Sequence, residues 1–442
     1  MALLVACSGT AEVSEPLAPV EETQAAVPAG DWPQWRGPGR DARSGDVGLL
    51  QAWPEGGPPL AWRSSGLGGG YSSVAVAAGR VFTMGDHGSD QFLIAASDQD
   101  GSILWMTRVG PGWEDGMYAG SRGTPTVDAD RVYALGTDGD LICADVESGE
   151  VVWRRNLTKD FAGKLMFAGD RYDWRFSESP LVDGDRLVVT PGVPGAALVA
   201  LNKESGEEIW RASIPDLGKA GLDGAGYSSA VVSEAGGIRH YVQLLGRGLV
   251  GIEAETGRFL WGYNRIANDV ANIPTPIAVG DHVFASTGYG TGSVLLRLAS
   301  NDGGVSAREV YFLDGETMQN HHGGLVLHEG HVYSGTGHNM GFPLCVEMAT
   351  GEVRWGPVRN AGKNSAAVLY ADGRLYYRYQ NGLMVLVEAT PQDYREHGSF
   401  RIPDVEKESW SHPVVANGRL YLREQNHLLV YDIVRRDSRP EN

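Results

Sequence analysis

The sequence is poor in cysteine, in basic residues and in long apolar runs, and each shortage removes a class of protein. Three cysteines in 442 residues, no two adjacent, make no disulfide framework. None sits in a Cys-x-x-Cys-His motif, so the chain carries no c-type haem and no built-in electron acceptor. Lys and Arg total 37 against 55 Asp and Glu. The net charge of −18 has the wrong sign for sequence-independent nucleic-acid binding, which depends on neutralising phosphates. No block of like charges stands out, so the acidity reads as a solvated surface. No run beyond residue 30 approaches the roughly 20 apolar residues of a membrane helix.

What the chain has in excess is glycine. Its 61 glycines are about twice the ordinary share, without collagen periodicity. That composition predicts many tight turns and many short strands. Hydrophobic residues at 42% fill a large core. The length points to several domains or to one repetitive architecture.

Repetition is visible. "ESGEVVW" (147–153) returns as "ESGEEIW" (204–210), "ETGRFLW" (255–261), "ATGEVRW" (349–355) and "QDGSILW" (99–105). Aligned on the final aromatic, the copies end at Trp62, Trp105, Trp153, Trp210, Trp261 and Trp355, with Phe312 and Phe400 filling the gaps. The spacings are 43, 48, 57, 51, 51, 43 and 45 residues. A period of this size with several strand signals per copy is that of a propeller blade.

Each copy opens with a small-polar entry into an apolar run, as in "YSSVAV" (71–76) or "SESPLV" (177–182). A short turn, an alternating β-rich strand, a third strand and the aromatic-bearing fourth follow. Eight inner strands occur, but the last copy runs out after three strands, and "PPLAWRSSG" (58–66) stands alone at the other end. The expected fold is therefore all-β: an eight-bladed propeller of four-stranded antiparallel blades, closed by an N-terminal strand that completes the last blade and leaves no open edge. The recurrent tryptophan packs on the neighbouring blade. Cys143 and Cys345, each ten residues before a tryptophan, hold one place in two copies and read as small apolar strand residues. A bridge between them would need Cα atoms within roughly 7 Å.

The expected organisation is a start and tether over 1–30 and a single propeller over 31–442, with a strap at 31–57 and the closing strand at 58–66. The strap's Trp32 and Trp35 are expected to pack on the propeller surface. Leu4-Val5-Ala6-Cys7 resembles a bacterial lipobox, which implies a lipid on Cys7 and a place on the periplasmic face of the cell envelope. Residues 8–30, rich in Pro, Ala, Glu, Ser and Thr, cannot bury enough surface to offset ordering entropy and read as a flexible tether.

The repeat pattern resembles that of quinoprotein (PQQ-dependent) alcohol dehydrogenases and of the propeller lipoprotein of the outer-membrane barrel-assembly machinery, over about 31–433. "DWPQWRGPGRD" (31–41), "NIPTPIAVGDHVFASTGYGTG" (272–292), "MQNHHGG" (318–324) and "RYQNGLMVLVEATP" (378–391) are similar to the polyvinyl-alcohol-dehydrogenase-like group. The resemblance is specific for fold and weak for function, because such folds host enzymes, scaffolds and binding platforms.

The quinoprotein resemblance implies PQQ, a Ca²⁺ with six to eight oxygen ligands and an aspartate base. The family's adjacent-cysteine disulfide is absent. The inner-strand entries bring Tyr71, Arg122, Glu178, Tyr227, Asn272, His321, His322, Lys363, Asn364, Trp410 and His412 toward the axis, and Glu178 is the one acid among them. The family's catalytic set does not carry over, and no catalytic residue is assigned. The candidate binding set is Tyr71, Arg122, Glu178, Tyr227, Asn272, His322, Lys363, Asn364 and Trp410. Arg122 and Lys363 suit an anion, and Tyr71, Tyr227 and Trp410 offer flat surfaces. His321, His322 and His338 are the metal candidates, although strand alternation places His321 and His322 on opposite faces. "GYGTG" (288–292) lacks the strand–helix context and following Lys of a phosphate cradle and reads as a turn.

Three readings of the axis stay open: a small anionic or aromatic ligand, a metal, or a solvated channel mouth. The expected function is an extracytoplasmic, lipid-anchored binding or scaffold propeller, monomeric, with an envelope protein or a small molecule as partner. The alternative is a PQQ-dependent alcohol dehydrogenase-like oxidoreductase.

Overall fold

The computed structural model describes residues 27, 29–113, 118–166 and 174–435. The lipobox-like Cys7 and most of the tether lie outside them. Eight sheets follow one another as blades 1 to 8, the strands of blades 1 to 6 in chain order from the axis outward, while Arg43–Ser44 adds a short fifth strand, parallel, to the inner edge of blade 7. Blades 1 to 7 cover 75–111, 126–156, 181–211, 231–263, 277–314, 325–355 and 366–401. Blade 8 takes Val414–Ala416, Arg419–Glu424 and His427–Asp432, and its fourth strand is Leu60–Ser65. Trp62 pairs with Val430 and Ser65 with His427, antiparallel. The ring is thus closed by its N-terminal strand, as the repeat count requires. Inner strands are wholly or largely buried, whereas outer strands such as Val151–Asn156 alternate between covered and exposed positions.

The repeated "SG-x-x-x-W" phrase is a two-part joint between blades. Trp105 Nε1 of blade 1 donates to the Val146 carbonyl of blade 2 at 3.1 Å, and Trp153 Nε1 donates to Lys203 of blade 3 at 2.9 Å. Trp210 repeats the contact on Ala254 at 3.1 Å, and Trp355 on Thr390 at 2.7 Å. Trp105, Trp153 and Trp210 each cover the turn glycine of the next copy, Gly149, Gly206 and Gly257, whereas Trp261 donates instead to His240 Nε2 of its own blade. A Cβ built on Gly206, whose φ is +71°, would stand 2.7 Å from Trp153 Cδ2. Gly101 lies in the same way under Trp62, so the joint recurs at the ring's closure. The glycine satisfies both the left-handed turn and the close approach.

Two blades depart from the expected aromatic. In blade 5 the bulge that precedes every tryptophan brings Tyr311, not Phe312, opposite Leu295. Tyr311 donates its hydroxyl to the Met348 carbonyl at 2.6 Å and lies over Gly351. Phe312, the aromatic expected from the repeat spacing, stands one residue beyond the joint position. In blade 7 Phe400 packs on Tyr431 and covers Gly57, while Trp53 from the preceding N-terminal segment lies over Gly398. Cys143 and Cys345 do hold equivalent, buried third-strand places, each paired across to a tyrosine, and both are free.

Around the closure, buried arginines tie blades together. Arg378 of blade 7 donates to Glu424 of blade 8 at 2.7 Å and to the Ser411 and Arg423 carbonyls. Arg423 in turn donates to Thr83 Oγ1 at 2.8 Å and to the Met84 carbonyl of blade 1.

The segment before the closing strand is not a surface strap. Trp32 is 3% exposed and exchanges backbone hydrogen bonds with Val76 of blade 1 at 2.8 Å in both directions. Pro33 accepts from Val127 of blade 2, Arg40 donates to the Ser179 and Pro180 carbonyls before blade 3, and Trp35 Nε1 donates to Thr275 Oγ1 before blade 5. Arg36 donates to Leu325 of blade 6 and Ala42 accepts from Tyr370 of blade 7. A stretch that meets so many inner-strand entries lies across the hub. Those entries expose backbone groups that need partners, and the Arg–Trp-rich chain supplies them.

Candidate functional site

Above this crossing segment the hub holds a cavity of about 320 Å³, within the range of small-molecule sites. Its walls are aromatic. Trp410 is the centrepiece, with ring centroids of Tyr118 at 4.5 Å, Tyr71 at 4.9 Å and His322 at 5.0 Å. Trp35 stacks obliquely on His412 at 4.5 Å, and Trp174 meets Tyr227 edge-on at 5.7 Å. The rings are tilted or edge-to-face, the usual preference of aromatic quadrupoles.

Imidazoles form one side. His321 stands 4.5 Å from His322 and 4.6 Å from His338, centroid to centroid. Strand alternation would place His321 and His322 on opposite faces. It fails because 319–324 is not extended strand but an irregular entry. His321 shares hydrogen bonds with Ser365 Oγ at 2.7 Å and Tyr289 Oη at 3.2 Å. Burial, with neighbouring imidazoles second, depresses His321 to a pKa of about 2. Burial likewise takes His322 and His412 to about 3. The imidazoles are therefore neutral at physiological pH.

The charges that remain are cationic. Arg36 is 3% exposed, and burial lowers its pKa only to about 10, so it stays charged. Arg122 lies over Trp113 at 5.0 Å and Tyr71 at 5.4 Å and donates to the Tyr118 carbonyl. No Asp or Glu lines the cavity among the described residues. Glu408 approaches only from behind, at 3.4 Å from the Tyr71 hydroxyl.

Of the candidate set, Tyr71, Arg122, Tyr227, His322 and Trp410 come together here, as do His321 and His338. Glu178 and Asn272 do not line it. Glu178, buried at the blade 3 entry, accepts from Thr190 N at 2.5 Å, and burial raises it to about 7. Asn272 uses its amide to hold the Leu245 and Gly246 carbonyls at 3.0 Å. Lys363 and Asn364 are exposed and lie outside the cavity. The entry alone does not decide direction: the neighbouring Ser365, not Lys363, turns to the histidines.

Other lining residues were not foreseen. Trp35 and Arg36 come from the crossing segment, Tyr118 and Trp174 from inter-blade insertions, Tyr289 from the "GYGTG" turn and Gln380 from blade 7. The lengths 48 and 57 in the repeat spacing were the signal for Tyr118 and Trp174. Arg36, Tyr118, Tyr289 and Asn339 also hold positive φ, from 52° to 67°. Left-handed backbone at bulky residues costs about 1–2 kcal/mol each, and such strain concentrates at functional sites.

Arg36 Nη1, His322 Nε2, Trp410 Nε1 and Gln380 Oε1 are four buried side-chain atoms of lining residues without a hydrogen-bond partner among the described residues. Left unmet, each costs about 1–3 kcal/mol. Among the described residues no group of three His, Cys, Asp or Glu is arranged to hold a metal. A Ca²⁺ needs several oxygen ligands, and this lining does not fit one.

The family model described as outer membrane protein assembly factor BamB matches residues 90–357, more than half of the chain. The BamB of Xanthomonas campestris is 35% identical over 113 residues, 26% of this chain and 25% of that protein. The BamB of Kangiella koreensis is 27% identical over 227 residues, 50% of this chain and 49% of that protein. The chain thus spans from a quarter to about half the length of these curated relatives. Among solved structures, BamB from Moraxella catarrhalis superposes with a TM-score of 0.56 at 15% identity, over 84% of this chain and 96% of that one. The quinohemoprotein alcohol dehydrogenase of Comamonas testosteroni gives 0.63 at 13% identity, over 94% and 82%. These structures share the fold. With its eight-bladed ring and its PQQ-like repeat, the chain belongs to the BamB family of propellers.

Proposed function

We propose that this chain is a binding and scaffold propeller of the cell envelope, tethered through lipid on Cys7 and monomeric over 31–442, with a protein of the outer-membrane assembly machinery as its partner. The axial cavity is its small-molecule site, for an anionic or aromatic ligand. The relation to the polyvinyl-alcohol-dehydrogenase-like group rests on the four stretches that resemble it. The observation that carries the reading is the cavity's chemistry: aromatic walls, neutral imidazoles and two guanidiniums, without a lining carboxylate among the described residues. That is a receptor for a polar guest rather than a Ca²⁺–quinone centre, where a carboxylate base and oxygen ligands are needed.

The test has two arms. Calorimetry with PQQ plus Ca²⁺ should give no heat, and dye reduction on alcohols none above background; turnover overturns the reading. In-cell cross-linking of the full-length chain should recover an outer-membrane assembly component, and recovery of none contradicts the scaffold role.

A further inference from the structure

The cavity's polar atoms and ring angles say more about its guest than its charge does. The four unpartnered buried atoms include donors at Arg36 Nη1 and Trp410 Nε1, an acceptor at Gln380 Oε1, and His322 Nε2, which takes either role with tautomer. They belong to the consecutive blades 6, 7 and 8 and to the crossing segment, so they line one arc of the cavity and its floor. A flat aromatic acid satisfies donors at its carboxylate and leaves the acceptor unmet. A hydroxyl both donates and accepts. The rings also disfavour a flat guest: Tyr71, Tyr118 and His322 meet Trp410 at 42°, 59° and 67°, and Trp35 meets His412 at 54°. These angles leave oblique faces suited to the C–H faces of a puckered ring rather than a parallel slot. Arg36 and Arg122 add positive potential in a chain of net charge −18.

We propose that the axial cavity binds a sugar acid, a hexuronate free or at the end of a glycan. The carboxylate faces Arg36 and Arg122, the ring's C–H face lies on Trp410, and hydroxyls meet His322, Gln380 and the indole N–H. The assignment rests on the reading of the axis as a ligand site.

Calorimetry on the intact chain tests it with glucuronate, a glucuronate-terminated disaccharide, glucose and benzoate. Glucuronate should bind at least tenfold more tightly than glucose, which lacks the charge, and than benzoate, which lacks the hydroxyls. Tighter binding of the disaccharide than of glucuronate assigns the glycan end; equal or weaker binding assigns the free acid. Gln380→Glu, which adds a negative charge and keeps the size, should cost glucuronate at least tenfold and cost uncharged glucose distinctly less. Trp410→Phe should weaken both sugars, with thermal melting confirming that each variant is folded. Benzoate binding at least as tightly as glucuronate overturns the sugar-acid assignment and leaves a ligand-binding axis standing. No binding by any probe overturns the assignment as well. Dye reduction with PQQ would overturn the reading beneath it.

Discussion

Trp153 states at one residue how this ring holds together. Its indole covers Gly206 of the next blade and donates to Lys203 at 2.9 Å. Trp153→Ala removes a large half-buried side chain from a joint and leaves that carbonyl without its donor. Urea unfolding should show a loss of about 3–5 kcal/mol. Gly206→Ala forces a Cβ against the ring at a left-handed φ and should cost about 1–3 kcal/mol in the same assay. The hub histidines set a pH response. His321, His322 and His412 are held near 2, 3 and 3 against an ordinary 6.5, so unfolding takes up protons between those values. Stability is full above pH 6.5 and falls as pH drops toward 3. Glu178, raised from 4.5 to about 7, opposes this, because its contribution is present below 4.5 and lost as pH rises through 7. Three imidazoles outweigh one carboxyl, so stability should rise from pH 4 to 6.5. His322→Gln, beside His412, Arg122 and His338, should flatten that rise by about 1.4 kcal/mol per pH unit, measured by urea titration across pH.

At the scale of elements, the seam between blades 7, 8 and 1 differs from the others by its buried charge. Arg378 and Glu424 are 1% and 2% exposed and meet at 2.7 Å. Removing one partner strands the other, so Arg378→Ala should destabilise by about 3–5 kcal/mol. Arg378→Met with Glu424→Leu should recover most of that loss, since an apolar pair of similar volume avoids desolvation. Thermal melts of the two variants separate the cost of a stranded charge from the worth of the pair. The same seam shows what periodicity reveals and what it hides. The lone "PPLAWRSSG" strand and the incomplete last copy were readable because closure is a counting rule. The joining arginines were not, because a buried Arg in an alternating strand looks like an outward-facing one until its partners are known.

At the scale of the whole molecule, the eight-fold architecture was legible because every blade repeats one solution to one packing problem. The site was legible only where it uses that grammar. Tyr71, Arg122, Tyr227, His322 and Trp410 sit at repeat entries, and the repeat pointed to them. Lys363 and Asn364 sit at an entry too, but the irregular turn before blade 7 leaves them in solvent. Trp35, Arg36, Tyr118, Trp174 and Tyr289 belong to what the repeat does not explain: an N-terminal crossing segment, inter-blade insertions and a glycine turn. Function in such a ring gathers in its departures from periodicity, which spacing detects as surplus length without saying where the surplus goes.

The central claim is that the N-terminal 30–65 region is built into the ring, its first part across the hub and its last in blade 8, so that the cavity has a floor and the circle no edge. Hydrogen–deuterium exchange on the intact chain tests this most directly. The amides of Trp32 and Ala42, and those of Leu60–Ser65 that face Leu428–Asp432 across the antiparallel pair, should be protected, whereas the alternate amides of that outer strand point away from the sheet and exchange fast. Rapid exchange across 32–65, with 428–432 protected, would contradict it, and would leave both the closed ring and the axial site without their foundation.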